Sequence, residues 1–211
     1  MRRSFAVPAY YDSSADGKSG VYDNLAFEGL SYTPDGSILF AAIENGLAQD
    51  SGKATLDARS LARIIAFDPK TAKPTAEYIY KTEVITVPAT AEPKYNDNGV
   101  SAILALDDKT MLVVERTFAS GYGNEIRVYE ASMDGATNIG GEETVAGTNY
   151  VPMTKSLLFI LKEGDFGLDI DNIESLVFGP ELDGKKTLVV ASDNNFNPEQ
   201  FTQFVVFTYD R

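Results

Sequence analysis

Phe27-Glu28-Gly29-Leu30-Ser31-Tyr32 runs through Thr33-Pro34-Asp35-Gly36 to Phe40-Ala41-Ala42-Ile43-Glu44, and reads as a strand, a tight turn and a returning strand. The pattern returns at Gly99-Val100-Ser101-Ala102-Ile103-Leu104 leading to Val113-Val114-Glu115. It returns again at Asn172-Ile173-Glu174-Ser175-Leu176-Val177 leading to Val190-Ala191-Ser192-Asp193. Glu28, Ser101 and Glu174 are 73 residues apart both times. A fixed period of this size marks a repeat architecture. A repeat sets corresponding residues at corresponding points, so polar side chains here can gather around one axis.

Outward from these pairs, nearly every periodic segment has strand character. Ile126-Arg127-Val128-Tyr129 and Phe204-Val205-Val206-Phe207 are rich in β-branched and aromatic residues. Pro34-Asp35-Gly36, Asp107-Asp108-Lys109 and Leu182-Asp183-Gly184 carry the chemistry that closes hairpins. Strands are expected at 25–33, 37–43, 62–67 and 76–82, then at 99–106, 110–115, 125–131 and 154–161, then at 172–178, 186–192 and 202–209. Leu56 to Arg63 reads as a helical turn or two.

Four antiparallel strands per repeat is the signature of a β-propeller blade. The expected fold class is therefore all-β, a β-propeller in a single domain over 1–211 with blades at about 20–95, 96–165 and 166–211. That is half of a six-bladed ring. Propellers have at least four blades, and an arc of three exposes sheet edges. Two resolutions stay open. In one, the stretch Arg3-Ser4-Phe5-Ala6-Val7 supplies an outer strand, and a homodimer completes the ring by each chain finishing the other's third blade. In the other, the chain is part of a longer propeller.

The chain has 31 acidic against 18 basic residues, a formal charge of −13, which repels phosphate and removes nucleic acid as a partner. It contains neither Cys nor His. A Ser-His-Asp triad, a thiolate nucleophile and a His-ligated zinc are thereby excluded. Carboxylates, Lys, Tyr, amides or a hard oxygen-ligated cation remain. No apolar run approaches the roughly 18–20 residues of a membrane span, so no membrane is expected as a partner. Met1 to Pro8 has the charges of a signal n-region without an apolar stretch behind them, so as written the chain reads as soluble, cytoplasmic and without its own export signal.

In a blade, the start of the first strand and the end of the second meet on one face. That rim would hold Glu28 and Glu44, then Asn98, Ser101 and Glu115, then Asn172, Glu174, Asp193, Asn194 and Asn195. Carboxylates held close need protons or a cation between them, and calcium takes 6–8 oxygen ligands. Calcium is therefore the expected cofactor, held by Glu28, Glu44, Asn98, Glu115, Asn172, Glu174, Asp193 and Asn194. Glu28, Glu115 and Glu174 are the candidate catalytic carboxylates, with Arg116 and Asn195 as substrate contacts. The plainer reading keeps the Asn and Asp residues as turn formers and pairs Arg116 with a neighbouring acid. Tyr10, Tyr11 and Tyr22 read as packing or loop residues.

Asp23-Asn24-Leu25-Ala26-Phe27-Glu28-Gly29-Leu30, Ala42-Ile43-Glu44-Asn45-Gly46-Leu47, Asn98-Gly99-Val100-Ser101, Leu112-Val113-Val114-Glu115-Arg116, Asp171-Asn172-Ile173-Glu174-Ser175-Leu176 and Ser192-Asp193-Asn194-Asn195-Phe196 together resemble the phytase-like esterase family. The resemblance spans most of residues 20–211 and is placed on roughly the C-terminal half of the family domain. It implies a β-propeller and a hydrolase of phosphate or other small-molecule esters. It also implies a periplasmic or extracellular location, with the export signal in an N-terminal half that is missing here. Three functions stay open: a calcium-assisted hydrolase at the channel mouth, a non-catalytic binding propeller with structural calcium, and an inactive partial domain.

Overall fold

The computed structural model describes residues 4–209. It is all-β, in three antiparallel sheets. Sheet 1 contains β1 (Phe27–Tyr32), β2 (Leu39–Ile43), β3 (Leu61–Asp68) and β4 (Lys73–Lys81) in that spatial order. Sheet 2 repeats it with β5 (Asn96–Ala105), β6 (Thr110–Ala119), β7 (Gly123–Ser132) and β8 (Thr154–Lys162). Sheet 3 has three strands, β9 (Ile173–Leu182), β10 (Lys185–Ser192) and β11 (Phe204–Tyr209).

The sheets stack face on face in chain order. Phe40, Ile64 and Tyr80 of sheet 1 pack against Val100, Ile103 and Val113 of sheet 2. The opposite face of sheet 2, through Leu112, Val114 and Val128, packs against Leu176, Leu188 and Val190 of sheet 3. A fully buried aliphatic side chain contributes about 1.5–3 kcal/mol, so these two junctions carry most of the stability. The first strands β1, β5 and β9 lie nearest one another, in sequence. Gly29 permits the closest approach, since a Cβ there would stand 3.0 Å from Ile103 Cγ1.

The 73-residue period has a structural meaning. Pairing of β1 with β2 shifts register between Phe27 and Gly29, so Glu28 is a bulge residue. The β5–β6 ladder shifts between Val100 and Ala102, at Ser101. The β9–β10 ladder skips Glu174 between Ile173 and Ser175. All three registration points are therefore bulges, which re-aim the side chains beside them.

The expected helix at Leu56 to Arg63 is absent. Thr55 Oγ1 instead accepts the backbone N–H groups of Asp57 and Ala58 in a turn, and Leu61 begins β3. Two unanticipated 3₁₀ turns occur at Ala9–Tyr11 and Asp165–Gly167. Arg3, the first residue of the stretch expected as an outer strand, lies outside the described residues. Within this chain the rest of that stretch lies on sheet 1. Phe5 meets Phe67 edge to face at 5.3 Å, and Ala6 N–H donates to Ala72 O.

Candidate active site

The bulges and strand ends bring side chains from all three sheets together. Glu44 follows β2, and its side chain lies across the backbone of β5 at Gly99. A Cβ at Gly99 would stand 2.4 Å from Glu44 Cγ, so only glycine leaves the carboxylate room. Arg116 on β6 reaches from sheet 2 toward both neighbours. Its Nη1 donates to Glu174 Oε1 at 2.9 Å and to Asn172 Oδ1, while Nη2 stands 3.8 Å from Glu44 Oε1. Asn172 Nδ2 donates to the same Glu174 oxygen at 2.5 Å. Glu28 completes the group, close enough that Glu174 and Arg116 act on its charge.

The electrostatics of this cluster are unbalanced. Glu44 is buried, and desolvation pushes its carboxyl up to about 7. Arg116 pulls it down, but Asp97, Glu28 and Glu174 push it up again. Glu28 is also raised, by desolvation first and then by Glu174, against Arg116. One guanidinium thus faces several carboxylates, and Glu44 carries the consequence.

The linkage has an unusual sign for an acid. Between the ordinary glutamate value and about 7, the folded state holds a proton that the unfolded chain has lost. Stability therefore falls as pH rises through that window. The two-and-a-half-unit difference corresponds to about 3 kcal/mol at full ionisation. Glu44→Gln removes that cost, so its urea midpoint should exceed wild type at pH 8 and match it near pH 5.

Of the residues expected on the rim, Glu28, Glu44, Arg116, Asn172 and Glu174 come together. Glu115 and Asn98 do not join them. The pairing of Val100 with Glu115 and of Gly99 with Arg116 makes Arg116, one residue later, the counterpart of Glu44. Glu115 turns instead into the junction of sheets 1 and 2, fully buried. There it accepts from Tyr80 Oη at 2.7 Å, Lys155 Nζ at 2.6 Å, Glu83 N at 2.7 Å and Asn98 Nδ2 at 3.0 Å. Its oxygens are saturated, which leaves no capacity for a metal or a substrate proton. Asn98 is held in the same knot by Thr117 Oγ1.

Asp193, Asn194 and Asn195 lie in a turn whose side chains are taken up locally, tied to the site through the backbone where Asp193 N–H donates to Asn172 O. Asp193 Oδ1 accepts the N–H of Asn195, and Asn194 Oδ1 accepts that of Phe196. Asn195 Nδ2 donates to Gln200. These are the turn roles of the plainer reading. Ser101 Oγ is buried and without a hydrogen-bond partner.

Sequence reasoning missed two members of the site, Asp97 and Tyr95. Asp97 is a main contributor to the Glu44 field, and its Oδ2 accepts from Tyr95 Oη at 2.6 Å. Its Oδ1 is buried with no partner. Asp97 sits immediately before Asn98, just outside the Asn98-Gly99-Val100-Ser101 motif, and only the alternation of β5 separates their surroundings.

Among the described residues, no group of three or more acidic side chains stands close enough to hold a metal ion. The Arg116 guanidinium stands between Glu44 and Glu174 and pairs with both. As arranged, the carboxylates here are met by an internal arginine.

A family model described as phytase-like, esterase-like activity of phytase, matches residues 1–196. The match covers most of the chain and includes the N-terminal residues ahead of β1. At family level the activity is hydrolytic and esterase-like. No curated protein matches the chain.

Proposed function

The chain belongs to the phytase-like family, and on that premise we propose that it hydrolyses an ester at the Glu28–Glu44–Arg116–Glu174 cluster. We further propose that the three sheets are consecutive propeller blades whose channel mouth this cluster lines. The stacking order of β1, β5 and β9 and the three equivalent bulges support that reading.

The observation that carries the hydrolase is Glu44, a buried carboxyl at about 7 beside a guanidinium. A general base works best when its affinity for protons matches the working pH. Ionised Glu44 takes a proton from water as the water oxygen bonds to the ester centre. The negative charge that develops on the ester oxygen is offset by Arg116, which Glu174 and Asn172 hold in place. The bond to the leaving alkoxide breaks, and Glu44 returns its proton to that oxygen. The site then stands as it began.

The surplus of carboxylates favours an uncharged carboxylic ester over a phosphate monoester, because a dianion must approach Glu28, Glu44 and Asp97 against one Arg. A screen with p-nitrophenyl acetate, butyrate and phosphate tests this directly. Hydrolysis of the carboxylic esters is expected to exceed that of the phosphate. Arg116→Ala should lower the ester rate by about 10²–10³-fold, the usual effect of removing one oxyanion donor.

A second reading keeps calcium at this site, either in the chemistry or as a stiffening ion. The observation in its favour is the partnerless Asp97 Oδ1 beside an excess of acid. Stripping with EGTA separates the two. The arginine-centred site predicts unchanged hydrolysis, and loss of activity restored by calcium would replace it with a calcium site.

A further inference from the structure

Each sheet has a front, which meets the preceding sheet, and a back, which meets the following one. The back of sheet 1 is buried on the front of sheet 2, and the back of sheet 2 on the front of sheet 3. The front of sheet 1 and the back of sheet 3 are left over. Both are apolar. On the front of sheet 1, Leu39, Ala41, Ile65 and Phe67 are buried with Phe5 against them, while Leu30 and Tyr32 stand exposed. On the back of sheet 3, Val177, Phe204 and Val206 stand exposed.

The bulge register makes the comparison residue by residue. Leu30 lies two residues past the Glu28 bulge, as Ile103 does past Ser101 and Leu176 past Glu174. Ile103 and Leu176 are buried in the two junctions, whereas Leu30 is 67% exposed. On the other face, Phe204 pairs with Ala191, as Val128 pairs with Val114 and Ile64 with Ala42. Val128 and Ile64 are fully buried, whereas Phe204 is 71% exposed. An isolated exposed leucine would mean little, but apolar side chains exposed on both outer faces, at positions buried in the two internal junctions, mark an interaction surface.

From this equivalence we infer that the front of sheet 1 in one copy of the chain receives the back of sheet 3 in a second copy. The two junctions inside the chain already show that a front of this kind fits a back of this kind. A second copy carries both faces. A two-fold arrangement then forms the same junction twice, buries all four faces and closes on six sheets. Closure is what separates such a dimer from an open filament, because the contact joins unlike faces. Phe5 packed on Phe67 enlarges the front of sheet 1 and becomes part of the contact.

The test is mass in solution for the full chain, by sedimentation velocity at about 10 µM and across a hundredfold dilution, within the affinity range of standard interfaces. The expected species has twice the 22.9 kDa of one chain. Leu30→Glu and Phe204→Glu, each on an exposed position that leaves the fold intact by circular dichroism, should each give a monomer. Leu30→Glu combined with Phe204→Lys in one chain should recover the dimer, since every junction then pairs unlike charges. A wild-type monomer throughout overturns the inference. So does a dimer that both single variants leave unchanged, or a mass that grows beyond two copies. None of these outcomes depends on hydrolysis, so the association and the proposed activity fail or stand separately.

Discussion

Arg63→Ala is expected to destabilise the fold by about 3–5 kcal/mol, enough to unfold a domain of ordinary stability under mild conditions. Arg63 on β3 is fully buried. Its Nε and Nη2 donate to both oxygens of Asp50, at 2.6 and 2.9 Å. Its Nη1 donates to Glu77 Oε1 at 3.0 Å and to the backbone oxygen of Glu142 at 2.8 Å. Glu77 also accepts from Tyr10 Oη and Tyr11 Oη, at 2.6 and 2.5 Å. Asp50 Oδ1 accepts the N–H of Val145. One guanidinium thus ties sheet 1 to the N-terminal turn and to the long segment between β7 and β8.

Removing it leaves two buried carboxylates without a cation, and that desolvation is the source of the cost. The same arrangement raises the hydroxyls of Tyr10 and Tyr11, through burial first and then the neighbouring Glu77. A surface pair gives the contrast. Lys109 and Asp134 stand 3.7 Å apart with both side chains mostly exposed, so Lys109→Ala should shift stability by less than about 1 kcal/mol. Urea denaturation of the two variants beside wild type measures both. Comparable midpoints would show that the Arg63 cluster is not under the strain of burial described for it.

Glu44→Gln is expected to lower the ester hydrolysis rate by about 10²–10⁴-fold, the range for loss of a general base. Glutamine keeps the shape of glutamate across Gly99 but cannot take a proton. The same substitution raises stability at pH 8, because the ionised Glu44 it replaces is the costly form. Slower hydrolysis in a more stable protein is a combination that partial unfolding cannot produce. Both effects come from one buried carboxylate, so both should be present or neither.

The periodic parts of this molecule were legible in its sequence, and the contacts between distant segments were not. All eleven expected strands begin within three residues of their observed starts, because alternating apolar runs and Asp-Gly turns are local signals. The 73-residue spacing reached further and marked the bulge in each sheet. Glu115 shows where such reading slips. Strand side chains alternate, so assigning the rim to Glu115 instead of Arg116 moves the residue to the opposite face. An acid expected on the rim becomes a packed anchor, and Arg116 is the residue that stands beside Glu44 and Glu174. Arg63 gave no signal at all, since its partners Asp50, Glu77 and Glu142 come from separate segments with no shared motif. Asp97 was hidden for a different reason. Only its neighbour Asn98 was expected on the rim, and the fold decides which of two adjacent residues acts on the charge of Glu44.

The most direct test of the central claim is the pH dependence of p-nitrophenyl butyrate hydrolysis from pH 5 to 9, for wild type and Glu44→Gln. The account predicts a wild-type rate that climbs with pH to a plateau, with its midpoint at about 7, and a variant that is slow and flat across the range. A wild-type rate without that midpoint, or a variant that follows the wild-type curve, would contradict it.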